Sequence, residues 1–291
     1  MPDSGRGSGG WKFMLPLLLL AIEAGIASFW SSVAGSLQKY AWQHGRRGML
    51  KRKSKGAPSM STATRYKHVR SEVDQVCKEL GRDPEEVLLL AVSKTVDVDQ
   101  VQLAIDAGAR AFGENRPDEL VRKQRAFPDM EWHFIGNIQS RRIPEIVSAA
   151  TLIHSVCKEA HLAKIDAAAA AIDKCQRVLL EVNVSGEESK SGFEPSEVKG
   201  IIERARSLEH VKIEGLMSMA PRAEEELINA TFSGLANLES ELNDTFSQEE
   251  GTARLSALSM GMTEDWPVAL RYGSTIVRIG RAIFSDSFEN A

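Results

Sequence analysis

A lysine that directly follows an apolar run is the first residue of this chain that points to covalent chemistry. Residues 87–92 are apolar and lead into Ser93 and Lys94. A charge at the end of a buried strand is costly, and desolvation lowers the pKa of a lysine amine. The resulting neutral amine is nucleophilic and suits Schiff-base formation with an aldehyde. The alternative is that Lys94 simply reaches solvent at a strand terminus.

A second set of residues, near the C-terminus, has the features of an anion site. Thr263 can cap a helix over residues 264–270, and the unpaired N–H groups of a helix N-terminus attract anions. The last apolar run carries Arg278 and ends at Gly280 and Arg281. Because glycine lets a ligand approach the backbone closely, we expect an anionic ligand here.

Eight apolar runs alternate with helix-period segments from residue 62 onward. The runs cover residues 87–92, 109–112, 132–135, 152–153, 178–184, 211–216, 255–258 and 275–279. Segments such as 98–107, 160–172 and 224–242 lie between them, with apolar residues at intervals of three and four. This alternation predicts parallel βαβ units, and about 230 residues is a typical size for a (β/α)8 barrel.

The same alternation also permits a doubly wound open sheet. However, no glycine-rich dinucleotide fingerprint follows the first run, and the unusual residues stand at the C-terminal end of nearly every run. A TIM barrel builds its site at that end of its strands. We therefore predict an α/β protein with a single (β/α)8 TIM barrel and an extra N-terminal helix.

The barrel interpretation makes the ligand more specific. Barrels often bind phosphate with the loops after strands seven and eight, which predicts a phosphorylated ligand. A Schiff-base lysine on strand one together with such a phosphate site suggests pyridoxal 5′-phosphate (PLP). A Schiff-base aldolase acting on a sugar phosphate is the alternative chemistry. His133 is interpreted as a core or rim histidine with satisfied partners, and no metal site is predicted.

Composition is that of an ordinary globular protein. The chain has 291 residues, of which 43% are hydrophobic and 26% charged. Its three cysteines, Cys77, Cys157 and Cys175, exclude a disulfide scaffold and match no zinc or redox spacing. We therefore expect a reducing compartment, the cytoplasm.

Residues 1–59 form a basic leader that differs from the rest of the chain. They hold nine basic and two acidic side chains, net +7, which leaves 27 basic and 38 acidic side chains, net −11, in residues 60–291. Such an acidic body argues against a nucleic-acid partner.

Residues 13–38 contain one charge, Glu23, and are long enough to cross a bilayer. Three interpretations stay open: a membrane anchor, a targeting peptide, or an extension that the working protein lacks.

The motifs at the run ends resemble, in order and spacing, the YggS/PROSC family of pyridoxal phosphate homeostasis proteins. They are AVSKT (91–95), FGEN (112–115), WHFIG (132–136) with QS (139–140), HSV (154–156), VN (182–183) with SGEESKSG (185–192), GLM (215–217), LSMGM (258–262) and VRIG (277–280). The resemblance covers the chain from about residue 65 to the end and does not cover the leader.

The resemblance implies an alanine-racemase-like barrel that holds PLP as an aldimine of Lys94. It implies that Arg278 faces the pyridine nitrogen and that Asn115 and Ser155 line the ring. The residues implied at the phosphate end are Ser259, Gly280 and Arg281, with Ser218 nearby and Gly261 in the same cofactor-binding set. Two places depart from the family pattern: Arg116 replaces a common tyrosine, and Ser140-Arg141-Arg142 replaces the usual Ser-Asn-Lys.

The same comparison favours a carrier over an enzyme. Related racemases use a base from a second domain, whereas only ten residues follow Arg281, and Tyr272 alone of the tyrosines lies among the predicted strands. A cation beside the pyridine nitrogen keeps it unprotonated and weakens carbanion stabilisation. We expect a monomer or weak dimer that buffers PLP and delivers it to apo-enzymes, with no catalytic residue. A single-domain PLP-dependent racemase is the alternative.

Overall fold

Eight parallel strands close into a barrel in the part of the chain that the structure describes. This computed structural model describes residues 60–187, 190–247, 254–286 and 288. The strands pair in sequence order from the first to the eighth, and the eighth returns to the first. The predicted barrel is therefore confirmed, and the open-sheet alternative is wrong. The basic leader lies outside the described residues.

Each strand overlaps one of the eight predicted runs. The strands are β1 (Leu88–Val92), β2 (Ala111–Glu114), β3 (Glu131–Phe134), β4 (Leu152–Val156), β5 (Gln176–Glu181), β6 (Val211–Met217), β7 (Ala257–Met262) and β8 (Ile276–Ile279). The seam between β1 and β8 is in regular register, with Leu88 opposite Ile276 and Ala91 opposite Ile279. The strands that carry Lys94 and Arg278 are therefore neighbours.

Helices follow the strands and cover the outside of the barrel. They are α1 (Thr62–Glu79), α2 (Val98–Asp106), α3 (Pro117–Ala126), α4 (Ile143–Ala149), α5 (Glu159–Ala170), α6 (Val198–Ala205), α7 (Glu225–Phe246), α8 (Trp266–Arg271) and α9 (Arg281–Phe284). Helix α1 precedes the first strand and is the expected extra helix. The Ser61 hydroxyl caps it by accepting the N–H of Thr64 at 3.2 Å.

Alternation along the strands gives the barrel an apolar interior and a second core outside it. The interior cluster is formed by Leu90, Ala111, Leu152, Leu179, Met217 and Ile276. The larger core lies between the strands and the helices and includes Trp132 and Phe112, whose rings stack with centroids 5.2 Å apart. Side chains of successive residues point to opposite faces of a strand, which produces both layers.

Helices α1 and α9, the first and last described helices, contact each other. Arg65 on α1 is buried, and its Nε donates to the carbonyl of Ile283 on α9 at 2.8 Å. Its Nη1 also lies 2.6 Å from the carboxylate of Asp286. Across the described ranges, no helix has the length and apolarity needed to span a bilayer.

Candidate functional site

A cavity of about 660 Å³ opens at the C-terminal ends of the strands. Lys94 follows β1, and Asn115 follows β2. Arg278 lies in β8, Gly280 follows that strand, and Arg281 begins α9. All five residues line the cavity. A cavity of several hundred Å³ suits a small-molecule ligand. The structure thus brings together five of the nine residues that sequence analysis placed at the site.

The other four predicted residues, Ser155, Ser218, Ser259 and Gly261, are not among the residues that line this cavity. The Ser155 hydroxyl donates to the Gly136 carbonyl at 2.6 Å, and the Ser218 hydroxyl donates to the Val182 carbonyl at 2.9 Å. Both bonds fix loops at the ends of neighbouring strands.

Lys94 itself is exposed, which corrects one expectation. Strand β1 ends at Val92, Ser93 is fully buried, and Lys94 has already left the protected part of the strand. The prediction of a desolvated amine is wrong for this structure, because the side chain stands at the open mouth. Its position in the cavity agrees with a lysine that meets a ligand there.

A buried polar cluster lies beneath Lys94. The Ser93 hydroxyl donates to Glu114 Oε1 at 2.7 Å, and Lys123 Nζ donates to the same oxygen at 2.5 Å. Lys123 Nζ also donates to the backbone carbonyl of Ser93 at 2.9 Å. These bonds tie α3 and β2 to the residue just before Lys94. No sequence pattern indicated Lys123, although Glu114 belongs to the FGEN motif.

Arg278 is buried directly beside the cavity. Its Nη1 donates to the carbonyl of Ser259 at 2.7 Å and to its hydroxyl at 2.6 Å, and its Nη2 donates to the Ser218 carbonyl at 3.0 Å. Burial lowers the pKa of Arg278 to about 10, an effect that the carboxyls of Asp265 and Glu181 oppose. The guanidinium is therefore held in one orientation as a cation.

Two buried carboxyl groups accompany this cation. Burial raises the pKa of Glu181, and the charge of Arg278 opposes that shift. Burial also raises the pKa of Asp265, whose side chain accepts the N–H of Met262 at 2.5 Å. Neither residue was named from sequence. Glu181 is the sixth residue of β5, and only strand periodicity could have indicated that it points inward.

The loop after β7 differs from the prediction. Helix α8 begins at Trp266, with Asp265 at the N-cap position, so Thr263 does not cap it. Gly261 has a φ of +91°, and a Cβ there would lie 2.7 Å from the Cβ of Ala269. The glycine therefore allows α8 to pack tightly against β7. Its direct contact with a cofactor stays a prediction.

His133 is buried and fully engaged, as interpreted from sequence. Its Nδ1 lies 2.9 Å from His154 Nε2, and its Nε2 lies 3.4 Å from the carboxylate of Glu131. His154 Nδ1 in turn lies 2.9 Å from Ser259 Oγ. Burial lowers the pKa of both histidines. His154 belongs to the HSV motif, but the sequence indicated no role for it.

The β8 end of the cavity fits a ligand that approaches the backbone. A Cβ at position 280 would lie 3.0 Å from the Val92 carbonyl and 3.2 Å from the Val92 Cβ, so only glycine leaves this corner open. The cavity offers the exposed amine of Lys94 on one side and the uncovered backbone beside Arg281 on the other. These two groups match an aldehyde that carries an anionic group.

Within the described ranges, no group of three or more His, Cys, Asp or Glu residues could hold a metal ion.

The three arginines that depart from the family pattern, Arg116, Arg141 and Arg142, are not among the residues that line the cavity. Arg116 Nη2 lies 2.7 Å from Asp118 Oδ2, and Arg142 Nη2 lies 2.7 Å from Glu145 Oε2. Both pairs are solvent-exposed, and exposed pairs contribute little to stability.

Comparison with known proteins identifies the family. The alanine racemase N-terminal domain family matches residues 66–287. The chain belongs to this family. Within it, the chain is 36% identical over 230 residues to the pyridoxal phosphate homeostasis protein of Aquifex aeolicus, covering 78% of this chain and 99% of that one. It is 38% identical over 229 residues to the homologue of the same name from Pseudomonas aeruginosa, covering 77% of this chain and 96% of that one.

Solved structures show the same barrel fold. PipY of Synechococcus elongatus, solved with PLP bound, superposes with a TM-score of 0.68 at 31% identity, covering 77% of this chain and 100% of that one. The alanine racemase of Streptomyces coelicolor superposes with a TM-score of 0.58 at 19% identity, covering 77% of this chain and 58% of that one. The racemase likeness shows the alanine-racemase-like fold alone. The family that the motifs indicated is confirmed.

Proposed function

We propose that residues 60–291 bind PLP through Lys94 and serve PLP homeostasis, buffering the cofactor and delivering it to apo-enzymes. One observation carries this proposal: the amine of Lys94 and the backbone after β8 open into the same cavity, on two paired strands. Relatives at 36% and 38% identity are named pyridoxal phosphate homeostasis proteins, and a homologue at 31% identity was solved with PLP.

Each part of the cofactor has a matching group in the chain. Lys94 would hold the aldehyde end of the cofactor, where its primary amine would supply covalent attachment with loss of water. Gly280 and Arg281 offer backbone N–H groups to the phosphate, while Arg278 offers a cation to the pyridine nitrogen. The remaining proposed contacts are Asn115, Ser155, Ser218, Ser259 and Gly261, which line or support the cavity.

The residues around the cavity support binding without robust amino-acid turnover. Racemisation needs a base on the face of the substrate opposite the lysine. Of the tyrosines in the described ranges, Tyr66 is buried on α1, and Tyr272 precedes β8 and so lies at the other end of the barrel. A fixed Arg278 cation also disfavours protonation of the pyridine nitrogen. We therefore assign no catalytic residue.

We place the protein in the cytoplasm as a monomer or weak dimer, with contact to a membrane only if the leader is an anchor. The three cysteines are free, and Cys175 is exposed, which fits a reducing compartment. The excess of acidic side chains in residues 60–291 supports the absence of a nucleic-acid partner.

The test is the absorbance spectrum of the purified protein with PLP, before and after borohydride reduction, followed by mass mapping of the modified lysine. We expect a covalent band and modification at Lys94, both lost in Lys94→Ala. The matched control is Lys190→Ala, since Lys190 Nζ also reaches the mouth, 3.2 Å from the Met219 carbonyl. A reducible adduct that persists in Lys94→Ala but not in Lys190→Ala would contradict the assignment.

A second measurement separates the carrier from the racemase. An amino acid is incubated with the PLP-loaded protein in deuterated water, and its Cα deuterium content is followed. We expect no steady incorporation, whereas continuous exchange would favour the single-domain racemase. A colourless protein that traps a sugar phosphate on borohydride treatment would instead indicate the aldolase.

A further inference from the structure

A chain of polar side chains crosses the barrel interior from the mouth to the opposite end. Arg278 Nη1 lies 2.6 Å from Ser259 Oγ, which lies 2.9 Å from His154 Nδ1. His154 Nε2 lies 2.9 Å from His133 Nδ1, and His133 Nε2 lies 3.4 Å from Glu131 Oε2. Strands β8, β7, β4 and β3 supply these residues. These hydrogen bonds therefore link β3 and β4 with β7 and β8, which lie more than 100 residues further along the polypeptide.

Because most of these side chains are buried, their polar atoms need hydrogen-bond partners within the protein. Ser259, His133 and His154 are 0% exposed and Arg278 is 5% exposed, whereas the Glu131 side chain retains 52% of its exposure. A buried polar group that lacks a partner is destabilising, so a buried network is favourable only when every member is satisfied. One assignment of the protons satisfies all of them.

The two ends of the chain fix the direction of its hydrogen bonds. The Arg278 guanidinium only donates hydrogen bonds, so Ser259 Oγ accepts one from it. The Ser259 hydroxyl is then free to donate its own hydrogen bond to His154 Nδ1. A neutral His154 then carries its proton on Nε2 and donates to His133 Nδ1. His133 likewise carries its proton on Nε2 and donates to the Glu131 carboxylate, which only accepts. Both rings thus take the same tautomer, and neither is charged.

The surrounding charges agree with neutral rings. Burial is the largest cause that lowers the pKa of His154, and the positive charges of Arg278 and Arg177 add to it. For His133, burial outweighs the nearby carboxylates of Glu131 and Glu214. Arg177 is itself paired with Glu214, with a 2.7 Å contact between β5 and β6.

We propose that His154 and His133 are positioning residues that, as neutral Nε2–H tautomers, hold Ser259 and through it Arg278 in a fixed orientation. The proposal deepens the proposed function and rests on it only where it concerns the cofactor. Three of the five guanidinium N–H groups of Arg278 are committed to Ser259 and Ser218. The hydrogen bonds from His133 through His154 and Ser259 therefore determine which N–H groups of Arg278 remain available to a pyridine nitrogen at the mouth.

The first test needs no ligand. Two-bond ¹H–¹⁵N correlation spectra of ¹⁵N-histidine-labelled protein distinguish the two neutral tautomers and the imidazolium. We expect the Nε2–H form for both His133 and His154 throughout the range from about pH 8 to about pH 6, where a free histidine becomes charged. An Nδ1–H form of His154, or a protonated ring in this range, would overturn the proposed order.

Two serine variants test the link to Arg278. Ser259→Ala removes the donor to His154, so we expect the Nδ1 signal of His154 and the signals of His133 to shift. Ser274→Ala is the matched control, because Ser274 is also 0% exposed but its hydroxyl bonds only backbone carbonyls, including that of Met260 at 2.8 Å. Unchanged histidine signals in Ser259→Ala would show that the contact does not govern the tautomer.

The last test uses PLP as the probe. His154→Phe removes the acceptor for Ser259, whereas His154→Asn places an amide oxygen where Nδ1 stands. We expect the PLP affinity of His154→Phe to fall about tenfold, with a shifted pH midpoint of the absorbance band, and His154→Asn to restore most of both. If wild-type protein shows no band, the proposed function fails while the tautomers remain testable. If the wild-type band appears and His154→Phe reproduces its affinity and midpoint, the positioning role is refuted.

Discussion

Lys123 Nζ lies 2.5 Å from Glu114 Oε1, and the two side chains are only 1% and 0% exposed. The pair lies under the strand end that carries Lys94, and Lys123 also holds the carbonyl of Ser93. The position of the mouth lysine therefore depends on a buried ion pair contributed by β2 and α3. Coulomb attraction is strong at such a site, but so is the cost of leaving either charge alone.

We expect Lys123→Met to lower the free energy of unfolding by about 3–5 kcal/mol, because it leaves Glu114 buried and uncompensated. Urea denaturation followed by circular dichroism measures this. Adding Glu114→Gln to Lys123→Met should recover a large part of the loss. Lys164→Met, at an exposed position of α5, is the control and should stay within about 0.5 kcal/mol of wild type. A Lys123→Met protein as stable as that control would contradict the prediction.

Gly261→Ala should destabilise the protein more than Gly273→Ala. Both glycines have positive φ, +91° and +85°, so alanine is strained at each by about 1–2 kcal/mol. Only at Gly261 would the new Cβ also meet Ala269 at 2.7 Å and the Trp266 Cα at 2.9 Å; nothing lies within 4 Å at Gly273. We expect an additional loss of about 1–3 kcal/mol from overpacking, measured by urea denaturation. Equal losses for the two variants would show that Ala269 and Trp266 move to accommodate the added Cβ at position 261.

Gly280→Ala should weaken PLP binding with little effect on folding. Its φ of −117° suits alanine, but the Cβ would stand 3.0 Å from the Val92 carbonyl and force the mouth to adjust. We expect about a tenfold loss of affinity, ~1.4 kcal/mol, in a spectroscopic titration with PLP. Gly200→Ala on α6 is the control, since its Cβ would meet only the flexible end of Arg204 at 3.0 Å. Unaltered affinity in Gly280→Ala would remove this corner from the phosphate site.

Acidification should destabilise the fold through its buried histidines. Burial lowers the pKa of His133 and His154 from their ordinary value of 6.5, so the unfolded chain binds more protons than the folded one once the pH falls below 6.5. The contribution of the neutral rings to the free energy of unfolding is fully present above pH 6.5. It is lost as the pH falls toward the pKa of the folded state. Each ring contributes a slope of up to about 1.4 kcal/mol per pH unit.

The measurement compares urea denaturation of wild type and His154→Asn at about pH 7.5 and about pH 5.5. Glu181 and Asp265 have raised pKa values and act in the opposite sense, because their contribution is lost as the pH rises through the folded value. The difference between the two proteins cancels them. A pH dependence of His154→Asn as steep as that of wild type would contradict the prediction.

The barrel was predictable because its signals are local. Each strand is a short apolar run followed by a helix-period segment, and residues 98–107 and 160–172 became Val98–Asp106 and Glu159–Ala170 with small shifts at the ends. Periodicity and strand count thus suffice for the topology. They also place Lys94 and Gly280 at one end of the barrel, where both line the cavity.

The finer parts of the site depend on contacts that no local pattern contains. Thr263 looked like a cap, but the turn extends to Asp265, which binds the N–H of Met262 instead of the helix. The resemblance implied Ser259 at the phosphate end, which stays a prediction, but nothing local indicated that its hydroxyl contacts His154, 105 residues away. Alternation shows that such side chains face inward, but it does not show which of them meet across the interior.

The pairing of β1 with β8 has a consequence for biosynthesis. The partners Leu90 and Arg278 stand 188 positions apart along the chain, and the amine and the anion corner lie on opposite sides of this seam. A ribosome synthesises β1 well before β8, so the two sides of the cavity cannot come together until β8 has been made. We therefore expect a nascent chain to gain PLP affinity only after β8 has emerged and paired with β1.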